Sequence, residues 1–192
     1  MTAKDGAKAM GGGGLLRPVV LVGMMGSGKT AIGRALSTRL GCGFVDSDAA
    51  IEEAAGRTIA EIFARDGEAF FRARESEVLS RLLAAGPRVI STGGGAYLAP
   101  QNRALIAERG AALWLDADLD LLWERVRHKS TRPLLRTADP RATLARLLDE
   151  RRDIYAQAEL RLTAQAGDSI DRTTDRVIEL LATRPDILET RR

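Results

Sequence analysis

A glycine-rich segment follows an apolar run near the start of the chain. Residues 17–22 (RPVVLV) have the branched, apolar character of a buried strand, and residues 23–30 (GMMGSGKT) match the pattern G-x-x-x-x-G-K-[ST]. Glycines let backbone N–H groups surround an anion, because a residue without a Cβ accepts positive φ and permits close approach. An amphipathic helix follows, with its positive N-terminal end toward the same anion. This order of strand, loop and helix predicts a phosphate loop that binds a nucleoside triphosphate.

Two side chains of this loop have expected roles in chemistry. Lys29 is predicted to reach the β and γ phosphates, and the Thr30 hydroxyl to bind the Mg²⁺ that accompanies the nucleotide. We expect the nucleotide to contact these loop residues: Gly23, Gly26, Ser27, Gly28, Lys29, Thr30 and Ala31.

The length of 192 residues suits a single α/β domain. No apolar run approaches the roughly 20 residues that a membrane span needs. Residues 1–14 carry two lysines and four consecutive glycines but lack the apolar stretch of a signal peptide. We therefore expect a cytoplasmic protein with a domain at 17–184, a flexible N-terminal tail at 1–16 and a C-terminal tail at 185–192.

Composition restricts the metals and partners. The chain has one cysteine, Cys42, and one histidine, His128, so neither an internal disulfide nor a His/Cys zinc site is expected. The net charge is +3, but the arginines are scattered and aromatic residues make up only 4%. This balance favours anionic small molecules over nucleic acid as partners. A monomer is expected, since no exposed apolar stripe is evident.

Five apolar segments alternate with helical patterns along the chain. This alternation predicts an α/β protein in which a parallel sheet is wrapped by helices. The predicted strands are residues 18–22, 43–45, 88–91, 111–115 and 160–164. Helices are expected to begin at the Asp118 cap, at Thr143 and at Thr173 or Thr174. Residues 46–85 form a helical insertion that suits a second substrate, and residues 128–142, rich in prolines and basic side chains, indicate a mobile lid.

Two carboxylates follow the second predicted strand in the sequence FVDSD. Ligands of open α/β sheets bind at the carboxyl ends of the strands, where Asp46 and Asp48 would lie. Residues two apart point to the same side of a strand, so both can serve one site. We expect Asp46 to face magnesium and its waters and Asp48 to face a substrate hydroxyl. Helix capping by Asp48 is the structural alternative.

An arginine, a glutamate and a glycine run complete the candidate site. Arg72 and Glu75 in FFRARESE fall three apart on a helix, hence on one face. An exposed ion pair is one explanation. The other is that Glu75 orients the Arg72 guanidinium toward a ligand carboxylate. Three glycines in STGGGA, after the third strand, let the main chain lie flat against a ring; they are Gly93, Gly94 and Gly95.

With GMMGSGKT, DSD, FRARE and STGGGA in this order, the chain resembles the shikimate kinase family. The resemblance covers about residues 19–181 and includes the segments STRPLL and DERRDIY. It implies a P-loop kinase fold, a three-layer α/β/α arrangement with a central five-stranded parallel sheet. The implied reaction transfers the γ-phosphate of ATP to the 3-hydroxyl of shikimate, in the chorismate pathway to aromatic amino acids.

The resemblance also implies roles for residues on the shikimate side. Asp48 would hold the substrate hydroxyls and accept the proton. Arg72 and Arg151 would grip the carboxylate, with Glu75 supporting Arg72. The glycines 93–95 would line the ring. The sequence leaves open whether Arg151 or Arg152 takes the second position, because ERRDIY lacks the proline that often follows that arginine.

On the nucleotide side, the resemblance places Arg132 of the lid on the transferring phosphate and Arg125 over adenine. Asp46 and Ser91 would act on the metal through its waters and ligands rather than bind it directly. Residues 167–172 are the candidate adenine loop. Thr92 and His128 are interpreted as a turn residue and a solvated side chain.

Two other functions compete with this prediction. Another small-metabolite kinase, such as a gluconate kinase, would share the nucleotide half, but FRARE followed by GGG argues against its acceptor site. A non-catalytic nucleotide-binding module would have lost Lys29, Asp48 or Arg72, which are all present. A GTPase would need an N/T-K-x-D motif, and the sequence has none.

Overall fold

A computed structural model describes residues 14–128 and 133–189. Its centre is one sheet of five strands: β1 (Val19–Val22), β2 (Gly43–Asp46), β3 (Arg88–Ser91), β4 (Ala111–Asp116) and β5 (Leu160–Thr163). All neighbours pair in parallel, in the order β2-β3-β1-β4-β5. The predicted five-stranded parallel sheet is confirmed, and each predicted strand boundary agrees to within one residue.

Helices connect the strands and cover both faces of the sheet. Those in the described residues are α1 (Lys29–Leu40), α2 (Ser47–Ala55), α3 (Ile59–Ala84), α4 (Pro100–Arg109), α5 (Leu119–Val126), α6 (Pro140–Tyr155) and α7 (Ile170–Ala182). Short 3₁₀ turns lie at Ala96–Leu98 and Pro133–Leu135. None of the helices in these ranges is long and apolar enough to cross a membrane.

Side-chain alternation along β1 divides the core into two layers. Val19 and Leu21 face a cluster that includes residues of α1 and α7. Val20 and Val22 face a larger cluster with residues of α2 to α6. Because successive strand residues point to opposite faces, four buried residues serve both layers. The result is the predicted three-layer α/β/α arrangement.

Capping side chains set the helix starts on the two sides of the lid. The predicted cap at Asp118 is confirmed, since its carboxylate accepts a hydrogen bond of 2.8 Å from the Leu121 N–H. Helix α6 begins at Pro140 rather than at the predicted Thr143. The reason is that Asp139 caps it and proline fits the first helical turn, where its missing N–H costs nothing.

Helix α7 also begins earlier than predicted. Its first residue is Ile170, not Thr173 or Thr174. The Ser169 hydroxyl accepts a hydrogen bond of 3.1 Å from the Arg172 N–H and so satisfies one of the free donors of the first turn. The hydrophobic pattern alone places the start at the first buried position and misses this cap.

The predicted insertion between the second and third strands is helical. It holds α2 and α3, and α3 bends at Gly67, which has φ 82° and ψ 173°. A capping box of Thr58 and Glu61 starts α3, with the Glu61 carboxylate accepting from the Thr58 N–H at 2.8 Å. The buried residues after the bend include Phe71, which joins the larger core cluster, and Glu75.

The structure corrects the predicted tail boundaries at 16 and 185. Leu15 pairs with Leu188 in an antiparallel bridge, and both side chains are buried. With Ile187 they pack on the side of the core formed by β1 and α7. Burying this apolar surface away from water stabilises the fold. The domain therefore extends at least from Leu15 to Leu188. The rest of the predicted N-terminal tail, 1–13, and residues 190–192 lie outside the described residues.

Candidate active site

The phosphate loop leaves β1 through glycines that no other residue can replace without strain. Gly23, Gly26 and Gly28 have φ values of 136°, 84° and 98°. A Cβ on Gly23 would lie 2.8 Å from the Leu115 carbonyl oxygen, and one on Gly26 would lie 2.7 Å from a Val126 methyl carbon. The loop is thus held tightly against β4 and α5, with its backbone open toward the cleft.

Lys29 lies at the start of α1, folded back over the loop. Its ammonium donates hydrogen bonds to the carbonyl oxygens of Gly23 (2.8 Å) and Met24 (2.9 Å). The hydroxyl of Ser27 in the same loop is buried and has no hydrogen-bond partner among the described residues. Ser27 and Lys29 both line the cleft, so the serine hydroxyl and the lysine ammonium could donate hydrogen bonds to an anion bound there.

Three oxygen-bearing side chains meet where β2 and β3 end. The Thr30 hydroxyl donates to Oδ2 of Asp46 at 3.0 Å and lies 3.3 Å from the Ser91 hydroxyl. Asp46 and Ser91 are register partners of the parallel pair, so the fold brings them to one edge. Oδ1 of Asp46 accepts from the N–H groups of Asp48 (3.1 Å) and Ala49 (3.4 Å). Asp46 therefore caps α2, and the alternative that Asp48 is the cap is wrong.

Asp48 is held against the glycine turn 93–95. A Cβ on Gly93 would lie 2.6 Å from Oδ1 of Asp48, and that oxygen is buried without a hydrogen-bond partner among the described residues. Burial is the main cause of a pKa of about 6, above the ordinary 3.8. The negative charges of Asp46 and Glu75 act in the same direction, and the ammonium of Lys29 acts against them. Asp48 is a carboxylate poised to exchange a proton near neutral pH.

Arg72 and Glu75 form a partly buried pair beside the same turn. Nη1 of Arg72 donates to Glu75 at 2.9 Å, and the Glu75 residue is only 1% exposed. Burial raises the pKa of Glu75, and the Arg72 guanidinium lowers it. A Cβ on Gly95 would lie 2.5 Å from Nη1 of Arg72. The alternative of an exposed ion pair is therefore wrong, because the glutamate is buried and the guanidinium lies against the turn.

The two arginines of α6 point to different neighbours. Nη1 of Arg151 lies 3.7 Å from the position that a Cβ on Gly94 would take. Nη2 of Arg152 donates instead to Asp116, at the end of β4, at 3.4 Å. Of the alternatives that the sequence leaves open, Arg151 is the one beside the glycine turn.

A cleft of about 660 Å³ runs along the carboxyl edge of the sheet, and its lining does not include Glu75 or the arginines Arg72 and Arg151, which border the glycine turn. The phosphate loop, Asp46, Asp48, Gly93 and Gly94 line it. Arg125 lines it beside the phosphate loop, where its guanidinium donates to the carbonyl oxygens of Gly26 (3.3 Å) and Ser27 (3.4 Å). The predicted adenine segment 167–172 contributes Asp168 and Ile170 to the lining.

The predicted lid is described only in part. Arg132 lies outside the described residues, as do the other residues of 129–132. After them, the turn Pro133–Leu135 carries an exposed Leu134 and a buried Leu135 that joins the larger core cluster. The C-terminal side of the lid is therefore anchored to the domain.

A buried tyrosine was not among the predicted site residues. Tyr155 ends α6 and donates a hydrogen bond of 2.5 Å to the Gly94 carbonyl oxygen. Its place one helical turn after Arg151 puts both residues on one face of α6, which was the available signal in the sequence.

Comparisons with known proteins show similarity of sequence and of fold. A family model described as shikimate kinase matches residues 25–182. The shikimate kinase of Ruegeria pomeroyi is 59% identical over 187 residues, 96% of each chain. A shikimate kinase structure from Acinetobacter baumannii in complex with shikimate is 36% identical, with a TM-score of 0.80 over 88% of this chain and 94% of that one. A gluconokinase from Sinorhizobium meliloti is 18% identical with a TM-score of 0.53 over 89% and 98%, a likeness of fold alone.

Proposed function

The chain belongs to the shikimate kinase family of ATP-dependent kinases, and on that premise we propose how its cleft performs the transfer. The γ-phosphate of ATP passes to the 3-hydroxyl of shikimate, giving shikimate 3-phosphate and ADP. The observation that carries the proposal is the position of Asp48. Its carboxylate lines the same cleft as the phosphate loop and lies against the glycine turn, whose other end contacts Arg72.

On the nucleotide side, the loop amides and the N-terminus of α1 hold the phosphates. Lys29 exchanges its carbonyl partners Gly23 and Met24 for phosphate oxygens, which as anions are the stronger acceptors. The guanidinium of Arg125 covers adenine from one side, and residues 167–172 approach it from the other.

The magnesium proposal depends on the oxygen donors beside the loop. Thr30 would bind the ion directly, with Asp46 and Ser91 orienting it and its waters from behind. Within the described ranges, no group of three or more His, Cys, Asp or Glu side chains could hold a metal alone. Phosphate oxygens would therefore supply the other ligands, and the ion would neutralise charge on the transferring group.

On the acceptor side, Arg72 and Arg151 bind the shikimate carboxylate, and Glu75 orients Arg72. The 3-hydroxyl gives its proton to Asp48 as its oxygen bonds to the γ-phosphorus and the bond to the ADP oxygen breaks. Lys29 and Arg132 stabilise the negative charge in the transition state. Closure of Arg132 over both substrates would limit ATP hydrolysis by water.

A coupled ADP-release assay with three conditions tests the function. The wild-type protein is given MgATP with shikimate, with gluconate or without an acceptor, and ³¹P NMR identifies the ester formed. ADP release that requires shikimate and yields the 3-phosphate supports the proposal. Release with gluconate would favour the other kinase class, and no turnover in any condition would favour a binding module.

We also keep a cytoplasmic location and a monomeric state as proposals. The cytoplasm supplies ATP for the reaction. The two arginines, the aspartate and the phosphate loop all come from one chain, so the site needs no second copy. Light scattering of the purified protein at assay concentration checks the monomer.

A further inference from the structure

Tyr155 links the end of α6 to the glycine turn. The residue is 0% exposed, and its hydroxyl donates to the Gly94 carbonyl oxygen at 2.5 Å. The sulfur of Met24, in the phosphate loop, lies 3.9 Å from the same hydroxyl. The ring stacks on Trp114 with the centroids 6.2 Å apart, which fixes the direction of the hydroxyl.

The turn that receives this hydrogen bond touches the acceptor groups on both sides of Gly94. Gly93 packs against the Asp48 carboxylate, and Gly95 packs against the Arg72 guanidinium. Neither glycine has room for a Cβ at these contacts, so a small movement of the turn would change both. The position of Gly94 therefore sets the distance between the base and the carboxylate-binding arginine.

The second acceptor arginine is carried by the same helix. Arg151 lies one turn before Tyr155 on α6, with its guanidinium near Gly94. Burial raises the pKa of the Tyr155 hydroxyl, and the charge of Arg151 lowers it. A tyrosine hydroxyl is protonated at neutral pH, so it remains a hydrogen-bond donor to the turn.

We infer that Tyr155 is a positioning residue for the acceptor: its hydroxyl fixes the Gly94 carbonyl and thereby the spacing of Asp48, Arg72 and Arg151. The inference rests on the proposed function, since these three residues are assigned to shikimate. In this role the tyrosine does not contact the substrate itself. Loss of the hydroxyl should weaken the acceptor side of the site and spare the nucleotide side.

The chain offers a matched pair of variants, because its two tyrosines are both buried. Tyr155→Phe removes the hydroxyl that holds the turn. Tyr97→Phe removes a hydroxyl that makes no hydrogen bond within the described residues, only two positions after the turn. For Tyr155→Phe we expect kcat/KM for shikimate to fall about 5- to 10-fold, the effect of one buried hydrogen bond. The KM for ATP should stay within about twofold in both variants.

The wild-type assay with shikimate comes first and separates failure of the function from failure of the inference. Given an active wild type, an unchanged kcat/KM for shikimate in Tyr155→Phe would overturn the inference. An equal fall in kcat/KM for ATP would also overturn it, because the hydroxyl would then stabilise the whole fold rather than the acceptor side. The same fall in kcat/KM for shikimate in Tyr97→Phe would overturn it too. Loss of cooperative unfolding in Tyr155→Phe would likewise overturn the inference.

Discussion

Arg72 donates a hydrogen bond of 2.9 Å to Glu75, whose carboxylate is buried beside the glycine turn. The buried carboxylate fixes the fork of the guanidinium, which would preorganise Arg72 for the ligand carboxylate that we propose it binds. Arg72→Ala should raise the KM for shikimate about 10- to 100-fold, with a small change in the KM for ATP. Steady-state kinetics with each substrate varied in turn measures both constants.

Arg74 provides the control for this variant on the same helix. It pairs with Glu77 at 2.7 Å at the exposed surface. Arg74→Ala should therefore leave both KM values near those of the wild type. An unchanged KM for shikimate in Arg72→Ala would mean that the carboxylate is held elsewhere.

The raised pKa of Asp48 predicts a pH dependence for the acceptor side. The proposed base must be ionised, so kcat/KM for shikimate should fall about tenfold per pH unit below a pH of about 6. The matched control is kcat/KM for an Asp48→Asn protein, whose residual rate should lack this acidic limb. A wild-type profile that stays flat between about pH 5 and 8 would remove Asp48 as the base.

The same pKa predicts that Asp48 lowers the stability of the fold. Between the ordinary pKa of 3.8 and about 6, the folded protein keeps a proton that the unfolded chain has lost. The free energy of unfolding therefore falls as pH rises through this window. At pH 7 the buried, ionised carboxylate still lowers it. Asp48→Asn should raise the free energy of unfolding at pH 7 by about 1–2 kcal/mol, and by little at about pH 3.

Urea unfolding at the two pH values measures this difference, with Asp120→Asn as control. The Asp120 side chain is 83% exposed, so its replacement should change the free energy of unfolding little at either pH. Equal or lower stability of Asp48→Asn at pH 7 would contradict the prediction. A stabilised but inactive protein is the expected outcome where a group is placed for chemistry rather than for folding.

The sequence predicts the sheet well because the information there is local. Each strand is a short branched apolar run, and burial on both faces of a parallel sheet selects such runs. The position of Asp46 was also predictable, since strands end together at one edge of a parallel sheet. Which of the two aspartates caps α2 was not predictable, because Asp46 and Asp48, two residues apart, offer the same cap chemistry.

Contacts between distant segments were harder to predict. Adjacent arginines at 151 and 152 have equal helix propensity, and only the docking of α6 turns one toward Gly94 and the other toward Asp116. The contact of Tyr155 with Gly94 joins segments 61 residues apart and has no local signature beyond its helical spacing. The bridge between Leu15 and Leu188 likewise depends on two chain ends meeting.

Arg132→Ala tests the catalytic role that we propose for this arginine. Because the guanidinium is proposed to act on charge that develops in the transition state, turnover should fall by about two or more orders of magnitude. Thermal unfolding should stay close to that of the wild type. Arg127→Ala is the control, since Arg127 pairs with Glu124 at the surface at 3.2 Å. Near-normal turnover of Arg132→Ala would remove this residue from the mechanism.

Gly95→Ala tests the contact between the glycine turn and Arg72 without backbone strain. Gly95 has φ −97° and ψ −20°, which alanine adopts freely, yet the added Cβ would lie 2.5 Å from Nη1 of Arg72. The guanidinium must move away from the turn, so the KM for shikimate should rise about 10-fold. Gly43→Ala is the control, because its Cβ would meet only the Cβ of Arg88 at 3.8 Å. Were Gly95→Ala to bind shikimate as the wild type does, the turn would not set the position of the arginine, and the spacing argument for the acceptor site would fail.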